Sequence, residues 1–284
     1  MNNRISMEKK LFILVSTIDN RILNLQNIIQ SEKHQVSYII SHQVTKKTGQ
    51  EVESYLLELS KRTDIIYHEL IGKGVAKNRN NTLKYIEPSS VCLILDDDIY
   101  LCPNAFENVL NAFDNTDADF ISFKILDMEG NDYKSYPTKK QWHTLGSLTG
   151  IGTTEIAFRS DLILNSKIKF DERFGPGSEV YPIGEDFIFA MDLYRLKTKM
   201  LFLPIPIVKH PKGSTGDNLD AKTIFGRGAM FARVFGWKSF FIDFLFAIKK
   251  YPYYRQEVSF FRYTGSLIDG TIDYLNVHKR VRDE

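Results

Sequence analysis

The feature that most constrains this chain is a repeated exchange between short apolar runs and stretches of helical spacing. Leu11-Phe12-Ile13-Leu14-Val15 is a continuous apolar run ending in Ser16-Thr17, the pattern of a strand buried on both faces of a parallel sheet. Residues 20–32 then place Ile22, Leu25, Ile28 and Ile29 at helical spacing, and Val36 to Ile40 returns to a strand. A helix from Val52 to Leu59, a strand from Asp64 to His68, a helix opening near Val75 and a strand from Val91 to Leu95 continue the exchange. Such alternation predicts an α/β fold with a largely parallel, doubly wound sheet. Further on, Asp119 to Phe123, Ile156 to Phe158 and Met200 to Leu203 read as strands, the last closed by Pro204 and Pro206. Phe187 to Leu196 reads as a helix, and Tyr133 to Leu148 as a flexible loop.

With 284 residues, 43% hydrophobic and 25% charged, the chain suits one large domain with a helical appendage. Its net charge of +2 argues against nucleic acid as the main partner. Cys92 and Cys102 match no metal spacing and no disulfide framework, which fits a reducing cytoplasm. Glu8, Lys9 and Lys10 precede an apolar run too short for a signal peptide. The apolar stretch Phe240 to Ile248 is broken by Asp243 and falls far short of the ~20 residues of a spanning helix. From Lys222 onward basic residues outnumber acidic ones eleven to six. Phe240, Phe241, Phe244, Leu245 and Ile248 form an apolar face near Lys249, Lys250, Arg255 and Arg262. That pattern suits a helix lying on an anionic membrane, peripheral at the inner face of the cell membrane, and equally one packed on the core or on a second subunit of a homo-oligomer.

Three clusters carry candidate chemistry. Asp96-Asp97-Asp98 follows a buried strand, where α/β sheets bind ligands. Three adjacent carboxylates call for a compensating cation, and Mn²⁺ or Mg²⁺ shared with phosphate oxygens would supply it. An extended chain places Asp96 and Asp98 on one side and Asp97 on the other; turn and N-cap roles explain the same residues. Gly184-Glu185-Asp186 opens an apolar helix, where carboxylates either cap the N-terminus or accept a hydroxyl proton. His210 ends a strand before Pro211, Gly213, Ser214 and Thr215; it can offer a ring nitrogen to a metal, or simply belong to the surface. Lys73, Lys77, Arg79 and Asn80 lie in a glycine-containing turn that enters a helix, suited to a phosphate or a polar base, or merely to solvent.

Together, over residues 11–216, these segments resemble the family 2 glycosyltransferases, inverting enzymes of GT-A fold common in bacterial polysaccharide assembly. The resemblance implies a GT-A domain over 1–216, with a nucleotide-sugar half to about 115 and an acceptor half over 116–216. A helical, basic and aromatic extension follows over 217–284. It further implies that Ser16 and Thr17 contact the nucleotide, as do Lys77, Arg79 and Asn80 in a looser Ala-Lys-Asn-Arg-Asn form of the family segment. Asp96, with Asp97 beside it, would meet the nucleoside, and Asp98 and His210 a divalent cation bridging the diphosphate. Phe170 to Gly175 with Glu185 and Asp186 resembles the acceptor side, Asp186 serving as base and Glu185 orienting the acceptor. One departure is Ile39-Ile40-Ser41-His42-Gln43, which stands where the family has an Asp-rich turn. The resemblance favours a UDP-sugar donor, this departure leaves guanosine and thymidine donors open, and a saccharide or lipid-linked saccharide is the expected acceptor. The rival readings are a nucleotidyltransferase acting on a sugar phosphate and a catalytically silent carbohydrate-binding protein.

Overall fold

A computed structural model describes residues 10–213 and 218–282, with the side chains of 278–282 excepted. Glu8, Lys9, Ser214, Thr215, the expected boundary at 216 and the side chains of Lys279, Arg280 and Arg282 lie outside the described residues. The chain divides into two compact units.

The first unit takes the chain before Gly74, Lys77–Lys169 and Asp192–Lys212. Its sheet holds β1 (Leu11–Ile18), β2 (Val36–Val44), β3 (Ile65–Ile71), β4 (Val91–Asp96), β5 (Tyr100–Leu101), β6 (Phe120–Leu126), β7 (Gln141–Trp142), β8 (Ile156–Arg159) and β9 (Met200–Lys209). The order is β3-β2-β1-β4-β8-β6-β9-β5, with β7 also on β9. β1, β2, β3 and β4 run parallel, which is the doubly wound half expected from the alternation. β8 is antiparallel to both β4 and β6, while β6 and β9 are parallel. Leu11, Ile13, Val15, Leu93 and Leu95 are fully buried, as continuous apolar strands in a parallel sheet require. Helices α1 (Gln50–Leu59) and α3 (Ala105–Asp114), with the helix α2 (Val75–Thr82) and the short α4 (Ser160–Ser166), connect the strands. The helical stretch expected over 20–32 is a 3-10 helix confined to Asp19–Asn27, entered through Asp19 in the left-handed region at φ 48°.

Two sequence expectations need correction. β9 does not stop at Leu203; it continues through Pro204 and Pro206 to Lys209. Its partners step from Ser122↔Phe202 to Lys124↔Pro206, two residues on β6 against four on β9, and this bulge absorbs the missing proline N–H groups. Tyr133 to Leu148 is irregular but tied down rather than loose. Buried Glu155 pairs with Lys134 at 2.7 Å and accepts from the Tyr136 hydroxyl at 3.1 Å, and the Ile125 amide donates to the Tyr136 oxygen at 3.0 Å. His143 bridges Ser122 and Ser147, and its burial lowers its pKa to about 4.

The second unit holds Gly74–Ala76, Phe170–Met191 and the chain from Gly213 onward, so segment 170–191 groups with the C-terminal helices rather than with the sheet. α5 (Glu185–Arg195) starts here, and α6 (Ala221–Phe235), α7 (Ser239–Tyr254) and α8 (Phe260–Arg282) follow. Asp220 caps α6 through the Thr223 amide at 3.0 Å. Asp171 binds Arg173 at 2.6 Å and Arg233 of α6 at 2.9 Å, and Tyr181 donates to Asp273 of α8 at 2.8 Å, which fastens 170–191 to the helices. Among the described residues no helix is long and apolar enough to cross a membrane.

Candidate active site

In the first unit the register of three strands builds the cluster. Ser16 of β1 pairs with Ser41 of β2 and with Asp96 of β4, so these three residues lie level near the carboxyl ends of their strands. The turn after β1 therefore meets the acidic turn after β4, at the edge where parallel sheets bind ligands. Asp19 locks the first turn, accepting from the Thr45 amide at 2.8 Å and the Thr45 hydroxyl at 2.7 Å. His42, fully buried, donates from Nε2 to the Asp19 carbonyl at 2.8 Å and accepts from Tyr67 at 2.9 Å. The histidine that replaces the family's acidic turn thus holds the strand-to-helix turn in shape.

The three aspartates meet three different surroundings. β4 ends at Asp96, so the strand alternation stops there and does not sort Asp97 from Asp98 as an extended chain would. Asp96 accepts from Arg79 at 2.9 and 3.1 Å, the guanidinium being almost wholly buried. Asp97 is 2% exposed, accepts from Thr17 at 2.7 Å and pairs with Arg21. Burial raises its pKa to about 6, against the lowering by Thr17 and Arg21. The Arg21 guanidinium also binds Asp98 Oδ2 at 2.9 Å. Asp98 Oδ1 faces His210 Nε2 at 3.4 Å, and His210 followed by Arg21 holds the Asp98 pKa below the usual carboxylate range despite desolvation. Much of the charge compensation expected of a metal is therefore supplied by Arg21, Arg79 and His210.

His210 sits where it does because β9 runs on past its prolines; its amide donates to the Leu126 carbonyl at 2.9 Å. Its Nδ1 lies 2.6 Å from the Pro211 carbonyl oxygen, which can only accept, so Nδ1 carries the proton and Nε2 is directed at Asp98. Tyr133 stands edge-on to the ring, with centroids 5.4 Å apart. Asp98 chiefly, with Asp96, raises the His210 pKa against desolvation. Among the described residues no three His, Cys, Asp or Glu side chains gather as a metal group. Asp98 Oδ1 is nevertheless shielded from solvent without a hydrogen-bond partner among the described residues, 3.4 Å from a ring nitrogen whose partner nitrogen carries the proton. One such oxygen and one such nitrogen fit a divalent ion that takes its other ligands from phosphate and water.

The remaining nucleotide-side residues divide. Asn78, absent from the sequence-based candidates, donates to the Thr17 carbonyl at 2.9 Å, and Ser16 presents a buried hydroxyl without a hydrogen-bond partner among the described residues. Asn80 is buried, whereas Lys77 is exposed and turns its ammonium to the Ile71 carbonyl at 3.4 Å, away from the aspartates' hydrogen-bonded cluster. Arg21 was legible only as a polar position in a helical stretch; Thr17 lies in β1, so no local spacing links the two, and they meet through Asp97.

In the second unit Glu185 and Asp186 open α5, where the unpaired amides of a helix N-terminus favour negative charge. Glu185 is 5% exposed. Gly175, at φ +102°, makes its placement possible: a Cβ there would stand 2.7 Å from the Glu185 carboxyl carbon and 2.9 Å from Val75. Gly184, at φ +107°, leaves room for Met230 in the same way.

No curated protein matches the chain by sequence. Crystal structures of S. aureus TarS share its fold. TarS 1–349 superposes with a TM-score of 0.61 at 14% identity over 94% of this chain and 82% of that one. The same fragment in complex with UDP-GlcNAc gives 0.62 at 14% identity, over 96% and 92%; in complex with UDP it gives 0.60 at 15%, over 96% and 91%. The fold is therefore GT-A-like, as the sequence resemblance implied. The description of glycosyl transferase family 2 matches residues 17–171, more than half of the chain, and the chain belongs to that family.

Proposed function

We propose that this glycosyltransferase moves a sugar with inversion from a nucleotide diphosphate sugar, a UDP-sugar in first place, to a hydroxyl of a saccharide or lipid-linked saccharide acceptor in cell-surface polysaccharide assembly. The observation that carries the reading is the cluster near the carboxyl ends of β1 and β4, where Thr17, Asp96, Asp97, Asp98 and His210 come together. The UDP-GlcNAc and UDP complexes of TarS, which has the same fold, support the donor class. Ser16 and Thr17 with Asp96 and Asp97 serve the nucleotide and Arg79 acts by fixing Asp96; Asn80 belongs to the same segment, and Lys77, whose ammonium rests at the Ile71 carbonyl, would have to turn to reach the diphosphate.

Asp98 and His210 would hold Mn²⁺ or Mg²⁺, and when bound the ion supplies Lewis-acid stabilisation of the departing diphosphate. The chain's own chemistry lies at α5. Asp186 takes the proton of the attacking acceptor hydroxyl on the face opposite the leaving group, which gives inversion, and Glu185 orients the acceptor. Positive charge develops at the anomeric carbon as the glycosidic bond to the diphosphate oxygen breaks.

The test is a thermal-shift screen of nucleotide sugars with and without Mn²⁺, followed by turnover of the best donor by Asp186→Asn. The expected result is a donor shift that Mn²⁺ enlarges, with transfer by the variant lowered at least about a thousandfold while its donor shift persists. Equal loss of donor binding and transfer removes Asp186 as base. Pyrophosphate release from a nucleoside triphosphate and a sugar phosphate would support the nucleotidyltransferase instead, and donor binding without any transfer the silent binding protein.

A further inference from the structure

α7 is built inside out. Its residues directed into the helical unit include Ser239 and Asp243, both fully buried, with Ala247 and Tyr254. Its opposite face puts Phe241, Leu245 and Ile248 into solvent at 67%, 48% and 49% exposure, with Phe240, Phe244 and Tyr251 beside them. At 100° per residue these positions cover one continuous apolar stripe. Trp237 before α7 and Phe261 at the start of α8 extend it, 75% and 86% exposed. A stripe of this length exceeds the scattered apolar residues of an ordinary surface and marks an interaction site. The sequence pattern left packing on the core as an alternative for this face; in the structure Phe244 and Tyr251 touch the Phe260 ring, while Phe241, Leu245 and Ile248 stay exposed.

Charge decides the occupant. Over 237–262 the exposed ionic side chains are Lys238, Lys249, Lys250, Arg255 and Arg262 against a single acid, Glu257, because Asp243 is buried. Lys249, Arg255 and Arg262 make no ion pair among the described residues, and Lys250 lies over the Phe246 and Tyr253 rings at 6.0 and 5.1 Å. A second copy docking face to face would oppose like charges. Anionic headgroups meet the same cations favourably while the rings enter the acyl boundary.

We propose that the Trp237–Arg262 face seats the enzyme on an anionic lipid surface, with α7 lying in the plane of the interface. This goes beyond the transfer reaction and stands whether or not the donor assignment does.

The experiment uses the full chain carrying Trp142→Phe, so that Trp237 is the remaining indole, since the sequence has two tryptophans. Vesicles of phosphatidylcholine alone are compared with vesicles that also contain phosphatidylglycerol, by co-sedimentation and by Trp237 emission. The expected result is binding to the anionic vesicles about tenfold or more tighter than to the neutral ones, weakened by salt, with a blue shift of Trp237. Phe241→Ser/Leu245→Ser, at exposed positions, and separately Lys249→Glu/Arg255→Glu, should each weaken binding about tenfold or more while circular dichroism and donor binding stay unchanged. Binding equal on both vesicles, binding indifferent to both double variants, or no binding at all overturns the proposal. So does a dimer, seen by light scattering, that Phe241→Ser/Leu245→Ser dissolves.

Discussion

At the scale of single residues, the guanidinium of Arg21 is the feature with the largest consequence. It neutralises a carboxylate that is almost wholly buried, and removing one partner of a buried pair leaves the other charge uncompensated. Arg21→Gln should lower the unfolding free energy by about 1–2 kcal/mol in metal-free buffer at pH 8, less than for a wholly buried pair because the guanidinium is half exposed, read by urea titration. Mn²⁺ should then raise the melting temperature of the variant more than that of the parent, because the ion replaces a missing cation beside Asp97 and Asp98. An equal Mn²⁺ effect in both proteins would separate the metal from this carboxylate cluster. The aspartates and His210 were legible from sequence because acid runs after buried strands and a histidine at a strand end are local patterns. Arg21 and Asn78 were not, since each acts through a partner more than sixty residues away.

At the scale of elements, α6 and α8 touch backbone to backbone. A Cβ on Gly228 would fall 1.8 Å from the Leu267 carbonyl oxygen, and one on Gly270 would fall 1.9 Å from that of Phe225. Gly228→Ala should therefore destabilise the protein by about 3 kcal/mol or more, with the helices forced apart. Gly265→Ala, on α8 with nothing within 4 Å, should instead stabilise by about 0.5–1 kcal/mol through helix propensity. Paired chemical melts decide it, and an equal response at both positions would mean that the helices do not approach this closely. The sequence showed glycines within a helical pattern, but helical spacing says nothing about which neighbour a face meets. β9 makes the same point: two prolines read as a stop, and a bulge against β6 let the strand pass and carry His210 to Asp98.

At the scale of the whole molecule, the helical unit should couple stability to pH through Asp243. Burial raises its pKa from the ordinary 3.8 to about 7, against the 2.7 Å hydrogen bond from Thr271. The folded protein therefore holds a proton that the unfolded chain releases, so the contribution is fully present below about pH 4 and is lost as pH rises toward 7. Asp243→Asn should flatten that loss, improving stability at pH 8 relative to pH 5 by a few kcal/mol, at about 1.4 kcal/mol per unit of separation. A parallel pH profile in variant and parent would place the titration elsewhere. The sequence alone determined the alternation of strands and helices, the acidic turn after β4 and the carboxylates that open α5, because each is written in the period or spacing of neighbouring residues. Only the tertiary structure decided that Ser16, Ser41 and Asp96 lie level, that arginines pair with the aspartates, and that the aromatic face of α7 points outward. Those outcomes depend on register and on which faces of distant elements meet, and neither is encoded within any one segment.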